Sequence, residues 1–298
     1  MNAAANEVAT FEAQRPFLRG LAYRMLGSQA EADDVVQDAW LRWQDADTEA
    51  VRAPRAFLAR TVTRLCLDQM KSARARREVY FGPWLPEPLV GDESLLVEGP
   101  EAESELASDL SYAFLLALER LSPLERAAFL LHDVFDLDFA EIAATLQRTP
   151  AACRQLATRA RNNVREARPR FTPSQVQSKR LAVAFLVATR TGDLGTLKDL
   201  LAEDARLIAD GGRRVAAIGI PLVGRERILK VYDGLMRKSP LPLDTRVELI
   251  RINSLPGLLL REANGKPIQT MAFEIGEDLR IHGIYIVRNP DKLSRLVR

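Results

Sequence analysis

The chain has 298 residues, 47% hydrophobic and 28% charged, a composition that fits two or three soluble domains and excludes disordered and fibrous classes. No apolar run approaches the roughly eighteen residues needed to span a bilayer, and the polar start Met1 to Gln14 lacks the parts of a secretory leader, so a cytoplasmic protein is expected. Cys66 and Cys153 are the only cysteines and lie far apart in helix-like stretches, which argues against a disulfide framework or a zinc cluster and for two small buried residues. The net charge of +2 hides a segregation: Arg60 to Arg77 and Arg148 to Arg170 are strongly basic, while Glu31 to Glu49 and Asp92 to Asp109 are mostly acidic. Two basic helices suggest contact with a polyanion at two places, although basic helices are also found as solvated faces.

From Phe11 to Trp43 apolar residues recur at helical spacing (Phe17, Leu21, Tyr23, Leu26, then Val35, Val36, Ala39, Trp40), predicting two helices hinged near Gly27. Ser28 and Glu31 are spaced as a capping box for the second. After Pro54 a third helix is expected over about Arg55 to Arg77, with Phe57, Leu58, Val62, Leu65, Leu67 and Met70 buried. Tyr80 to Pro100 breaks the period with Gly82, Pro83, Pro86, Pro88, Gly91 and Pro100, so it reads as an extended linker. Trp84 and Leu85 within it would waste apolar surface if free, which suggests docking onto another part of the protein.

Helical patterning resumes at about Leu106 to Arg120, and Ser122, Pro123 and Glu125 start a helix through His132. A break at Phe135 to Asp138 is followed by a helix over Phe139 to Leu146, a turn at Gln147 to Pro150, and a long basic helix from Ala151 to about Arg168. That pair has the shape of a helix-turn-helix, whose second helix enters the DNA major groove by its N-terminal half. Arg154, Gln155, Thr158 and Arg159 are the candidates for base edges, since arginine can bond guanine and glutamine adenine in bidentate fashion. Arg161, Arg165 and Arg168 are placed to meet phosphates. Beyond Pro173 helices are expected over Gln175 to Ala202, then strands over Val247 to Ile252, Leu258 to Glu262, Gln269 to Ile275 and Leu279 to Val287, giving a helix-plus-meander α+β domain.

The segment Ser28 to Trp43, SQAEADDVVQDAWLRW, sets Asp33, Asp34 and Asp38 around Gln37, Trp40, Leu41 and Arg42. On composition it is either a recognition surface or a solvated face, and metal binding is poorly supported because no further acid or histidine is bound to converge there.

This acidic helix, the basic helix after it, a linker and a C-terminal helix-turn-helix together resemble an extracytoplasmic-function sigma factor of the sigma-70 family over roughly the first 170 residues. The resemblance implies that Asp33, Asp34, Gln37, Asp38, Trp40, Leu41 and Arg42 bind the β′ clamp of RNA polymerase core, with the β flap as a second contact of the core. It implies that the basic helix, through Arg60, Arg64, Lys71 and Arg74, recognises and helps melt the promoter −10 element, and that Arg154, Gln155, Thr158 and Arg159, with Arg161, face the −35 element.

A narrower resemblance rests on Trp84-Leu85-Pro86-Glu87-Pro88 and Asn289-Pro290-Asp291-Lys292-Leu293, as in the sigma-factor subgroup with a C-terminal SnoaL-like extension. The subgroup's Asp-Gly-Gly-Gly-Lys motif is present in part, as Asp210-Gly211-Gly212-Arg213-Arg214. The implied fold is multidomain: two all-α sigma domains (a helical bundle at 1–79 and a helix-turn-helix at 106–170) flank a linker at 80–105, followed at 174–298 by an α+β NTF2/SnoaL-like cone. The extension is expected to regulate the sigma domains, with Trp84 and Leu85 docking near Asp210 or Asn289, and no cofactor is implied. A small-molecule ligand of the extension stays open. So does an enzyme built on Asp210, His282 and Tyr285, and so does a conventional regulator that binds DNA without polymerase.

Overall fold

The computed structural model describes residues 3–48, 50–78, 80, 82–91, 109–165, 171, 173–238 and 241–296, with side chains of 3–5 and 72–78 left aside. The chain divides into two compact units, Met1–Glu78 with Asp92–Arg168, and Val79–Gly91 with Pro169–Arg298. The linker's first half therefore belongs with the C-terminal unit, and the two helical regions on either side of it form one body. Residues 92–105 of the expected linker lie outside the described residues.

In the first unit, α1 (Ala3–Leu26) ends at Gly27, whose φ of 70° turns the chain left-handed while its N–H bonds Tyr23 O at 2.7 Å. Such a stop suits a residue without Cβ. Ser28 then caps α2 (Gln29–Gln44) by accepting from Glu31 N at 3.2 Å. With α3 (Pro54–Glu78) these helices bury Leu18, Leu21, Val35, Ala39, Trp43, Leu58 and Val62.

The second region holds α4 (Tyr112–Glu119), α5 (Pro123–Phe129), α6 (Phe139–Leu146) and α7 (Pro150–Arg165). Of the helix expected from Leu106, residues 106–108 lie outside the described residues, and α4 begins at Tyr112, where Ser111 caps it through Phe114 N at 3.2 Å. The helix expected through His132 widens into a π-turn at Leu130–Val134. Ser122 and Glu125 close a capping box at the start of α5, and Gln147 ends α6 in the left-handed conformation. The two regions are joined inside this unit: Phe17 meets Phe135 edge-on at 5.0 Å, and Arg126 donates to Met25 O at 2.6 Å and to Glu119 at 2.8 Å.

In the second unit α8 (Gln175–Thr191) stops at Gly192, α9 (Leu194–Leu200) follows, and β1 (Leu201–Asp210) begins where helix was expected to continue to Ala202. Two further elements go beyond the sequence expectation: β2 (Leu222–Val223) and α10 (Arg225–Lys238). The strands β3 (Arg246–Ile252), β4 (Leu255–Arg261), β5 (Pro267–Ile275) and β6 (Ile281–Val287) form the expected meander. Sheet order is β2-β1-β6-β5-β4-β3, with β1 parallel to β6 and the other pairs antiparallel. Helices α8 to α10 cover one face, closing over a core of Phe185, Tyr232, Leu258, Leu260, Phe273 and Ile284. Strand alternation sends Asp210, Thr270 and Tyr285 to the other face.

Candidate functional site

Helix α2 presents Asp34, Gln37, Asp38, Leu41 and Arg42 to solvent. Their spacing of three and four residues is that of a single helix face. Trp40 is half-buried, edge-on to Phe11 at 4.9 Å, and Asp33 accepts from Arg19 Nε at 2.6 Å, so these two tie the helix to α1. Leu41 is 51% exposed in the middle of that acidic face.

On α3, Lys71 is exposed and pairs with Asp68 at 2.8 Å, and Arg60 is half-buried. Arg64 is exposed, and its guanidinium donates to the Ala144 and Thr145 carbonyls at 3.2 and 3.3 Å, at the end of α6. Free carbonyls at a helix C-terminus attract a cation, which accounts for the placement. The side chain of Arg74 and all of Arg168 lie outside the described residues.

Helix α7 buries Cys153, Leu156, Ala157, Ala160 and Val164 and exposes Arg154, Gln155, Thr158, Arg159 and Arg165. Arg159 pairs with Glu125 at 3.0 Å and Arg161 with Asp133, so both are braced by acids of the preceding helical segment. The Glu125 carboxyl is held below its ordinary value by the Ser122 hydrogen bond and by Arg159. Thr158 Oγ1 bonds back to Arg154 O at 2.9 Å, and the Arg154 guanidinium lies 5.4 Å from the centre of the Phe139 ring.

The residues of the C-terminal unit converge on Asp210, which is fully buried at the end of β1. Its carboxylate accepts from the Tyr80 hydroxyl, from Leu85 N at 2.9 Å, from Gly212 N at 3.1 Å and from Lys292 Nζ at 2.7 Å. Lys292 also donates to Leu85 O and sits 4.2 Å from the Trp84 ring centre. Asn289 donates to the Tyr80 oxygen at 3.1 Å and caps α11 (Pro290–Leu293) by accepting from Asp291 N at 3.1 Å. Gly212 is required here: at φ 61° a Cβ would fall 2.3 Å from the Asn289 amide. Burial and the bond to Asp210 raise the Tyr80 phenol above its ordinary value.

Leu85, Pro86, Pro88 and Leu89 are buried and Glu87 half-buried. At the far end Leu89 exchanges bonds of 3.0 Å with Asn253, and Val90 bridges Ile252. The strap of Tyr80 to Gly91 is thus fixed to β1 at one end and to the β3–β4 turn at the other. Gly211 packs tightly under the loop and Leu293 is buried, whereas Pro290 and Asp291 are exposed, with Asp291 3.4 Å from Arg214.

Asp210, His282 and Tyr285 do not share one centre, and each has its own partners. His282 Nε2 lies 3.0 Å from Asp278, and Tyr285 donates to Glu274 at 2.6 Å. Sequence reasoning missed Tyr80, Asn253 and Arg126. Tyr80 begins a linker in which the tryptophan is the stronger signal, and nothing local marks an arginine that bonds across 101 residues.

Residues 10–76 match the family model for Sigma-70 region 2 and residues 111–164 that for Sigma-70, region 4. Both modules in this order define a promoter-directing subunit of bacterial RNA polymerase. The ECF RNA polymerase sigma factor SigJ of Mycobacterium tuberculosis (strain ATCC 25618 / H37Rv) is 36% identical over 298 residues, covering 97% of this chain and 93% of the relative. The probable ECF RNA polymerase sigma factor SigI of the same strain is 35% identical over 218 residues, 72% of this chain and 74% of the relative. The crystal structure of M. tuberculosis SigJ superposes with a TM-score of 0.73 at 31% identity, covering 96% of this chain and 98% of that one. The chain belongs to the extracytoplasmic-function RNA polymerase sigma factors. Its partners are accordingly the polymerase core and promoter DNA, and it is an initiation factor rather than an enzyme. The C-terminal unit has the α+β build that the resemblance implied.

Proposed function

We propose that this sigma factor is regulated by its own C-terminal unit, which acts by holding the segment of chain that joins its two promoter-binding regions. The observation that carries the reading is the strap: Tyr80 to Gly91 follows region 2 directly, yet its polar anchors, Asp210, Lys292 and Asn253, all belong to the C-terminal unit. Promoter recognition needs both regions at once, so each region's effective concentration at its half of the site depends on the chain between them. A fastened strap shortens that chain and a released one lengthens it.

Under this reading the exposed α2 face of Asp34, Gln37, Asp38, Leu41 and Arg42 meets the β′ clamp, region 4 meets the β flap, α3 serves the −10 element and α7 the −35 element. The work is done in the cytoplasm with the polymerase. The space between sheet and helices is taken up by Phe185, Tyr232 and Phe273. A small-molecule ligand would therefore use the open cleft of about 470 Å³ between Gly82, Pro83 and the loop Gly211 to Gly219, beside the strap's anchor.

The test is promoter-specific transcription by native core polymerase with the full chain or with a form ending near Arg170. A difference in output is expected, because truncation removes the strap's anchors and no region 2 or region 4 residue. Equal output from both forms would refute the regulatory reading.

A further inference from the structure

The arginines of α7 are held in two different ways, and the difference separates two roles. Arg159 and Arg161 each commit their Nε–H to an acid, Glu125 and Asp133. Arg154 instead lies with its guanidinium 5.4 Å from the Phe139 ring centre, and no acid pairs with it among the described residues. A guanidinium held over a ring face keeps its N–H donors available, whereas one bound to a carboxylate has spent some of them.

Phe139 is itself supported. It is the first residue of α6, where Asp138 caps the helix through Ala140 N at 2.8 Å and Glu141 N at 2.7 Å. Its ring lies 4.1 Å from that of His132, and His132 Nδ1 is 3.0 Å from Leu137 O, so the imidazole is fixed in turn. His132 belongs to the π-turn that follows α5.

We propose that Phe139, backed by His132, is a positioning residue for −35 recognition: it orients the Arg154 guanidinium so that its free edge reads one base pair, while Arg159 and Arg161 brace the recognition helix. This rests on the reading that α7 faces the −35 element. Two parallel N–H bonds to guanine need the guanidinium plane aligned with the base plane, and an aromatic face beneath it limits the rotation that would spoil that alignment.

The experiment uses holoenzyme assembled from the full chain and native core polymerase to select duplexes from a pool randomised across the −35 element, with the selected sequences counted. Arg154→Ala should flatten the preference at one position by about tenfold. Phe139→Leu should weaken that same position by about fivefold, as expected for a lost cation–π contact, and leave the others unchanged. Phe139→Tyr should restore it to within about twofold of the parent, since the ring face is kept. In the double variant Phe139→Leu/Arg154→Ala the position should be no flatter than with Arg154→Ala alone.

Intact preference in Phe139→Leu, or an equal flattening of every position, would overturn the proposal, the second pattern being that of a merely structural residue. If Arg154→Ala flattens no position, the assignment of Arg154 to base reading fails first. That outcome is distinct from a failure of Phe139 alone.

Discussion

Arg126 in the first unit and Asp210 in the second are buried charged side chains that join segments far apart in sequence, and they are built in opposite ways. In the first unit Arg126, 2% exposed, donates to the Met25 carbonyl and to Glu119, while its Nε is buried without a hydrogen-bond partner. In the second, Asp210 accepts four hydrogen bonds from three separate stretches of chain, and its charge is balanced by Lys292. A saturated buried acid holds firmly, because each donor would have to find a new partner on release. An arginine that leaves one donor unpaired gives up part of its desolvation cost when its contact opens. The cluster around Asp210 is therefore the stronger fastening, and the one between regions 2 and 4 is the easier to part.

The largest expected effect comes from removing the acid. Asp210→Ala breaks the buried pair with Lys292 and removes the acceptor shared by Tyr80, Leu85 and Gly212, a loss of about 3–5 kcal/mol in the stability of the C-terminal unit. Denaturant unfolding of the full chain measures it, and cleavage within Tyr80 to Gly91 by a non-specific protease should rise in parallel. If unfolding and cleavage match the parent, the ranking of the two clusters is wrong.

Next comes Arg126→Met, expected to cost about 2–3 kcal/mol by removing the hydrogen bonds that the Arg126 guanidinium gives to Glu119 and the Met25 carbonyl. Labels in regions 2 and 4 should report a wider distance distribution by energy transfer, with no change in cleavage of the strap. A compact distribution would mean that apolar contacts such as Phe17 with Phe135 hold the unit without the arginine.

Trp84→Ala removes the ring beside the Lys292 ammonium, for an expected loss of about 1–2 kcal/mol. Its effect and that of Asp210→Ala should not add, since both act on Lys292. The smallest effect concerns pH. Glu125 has its carboxyl lowered in the fold, so the stability it contributes is fully present above the ordinary glutamate value and is lost as pH falls through the lowered one. Glu125→Gln should remove that part of the acid limb of an unfolding-against-pH curve, and an unchanged limb would contradict the assignment.

The helices of both promoter-binding regions were legible because apolar spacing and caps agreed: Ser28, Ser122 and the turn at Gln147 each mark a boundary found in the fold. Strand β1 was not. Leu201 to Ala205 reads LAEDA, a helix-favouring run, yet Leu201 already pairs with Ile281 of β6 and, past an irregularity, Arg206 and Leu207 pair with both β2 and β6, so sheet pairing overrides local preference. Helix α10 did carry a signal, in the spacing of Ile228, Leu229 and Tyr232, which is a helix face rather than a strand. In the candidate sites, residue type pointed to Arg154 and Asp210, and the linker pointed to the docking of Trp84 and Leu85 beside Asp210, but nothing pointed to the partners of the arginines of α7. The acids holding Arg159 and Arg161 and the ring under Arg154 come from α5 to α6, and sequence spacing carries no record of that packing.

The strap also imposes an order of events during synthesis. Lys292 donates to the carbonyl of Leu85 across 207 residues, and a ribosome adding about 5–20 residues per second needs about 10–40 s to travel that stretch. Both promoter-binding regions leave the ribosome within that interval, before the lysine that completes the fastening exists. Each new molecule thus passes through a brief youth in which its joining segment is untethered, and a cell making the protein in bursts would hold a pulse of such immature chains that a cell making it steadily would not.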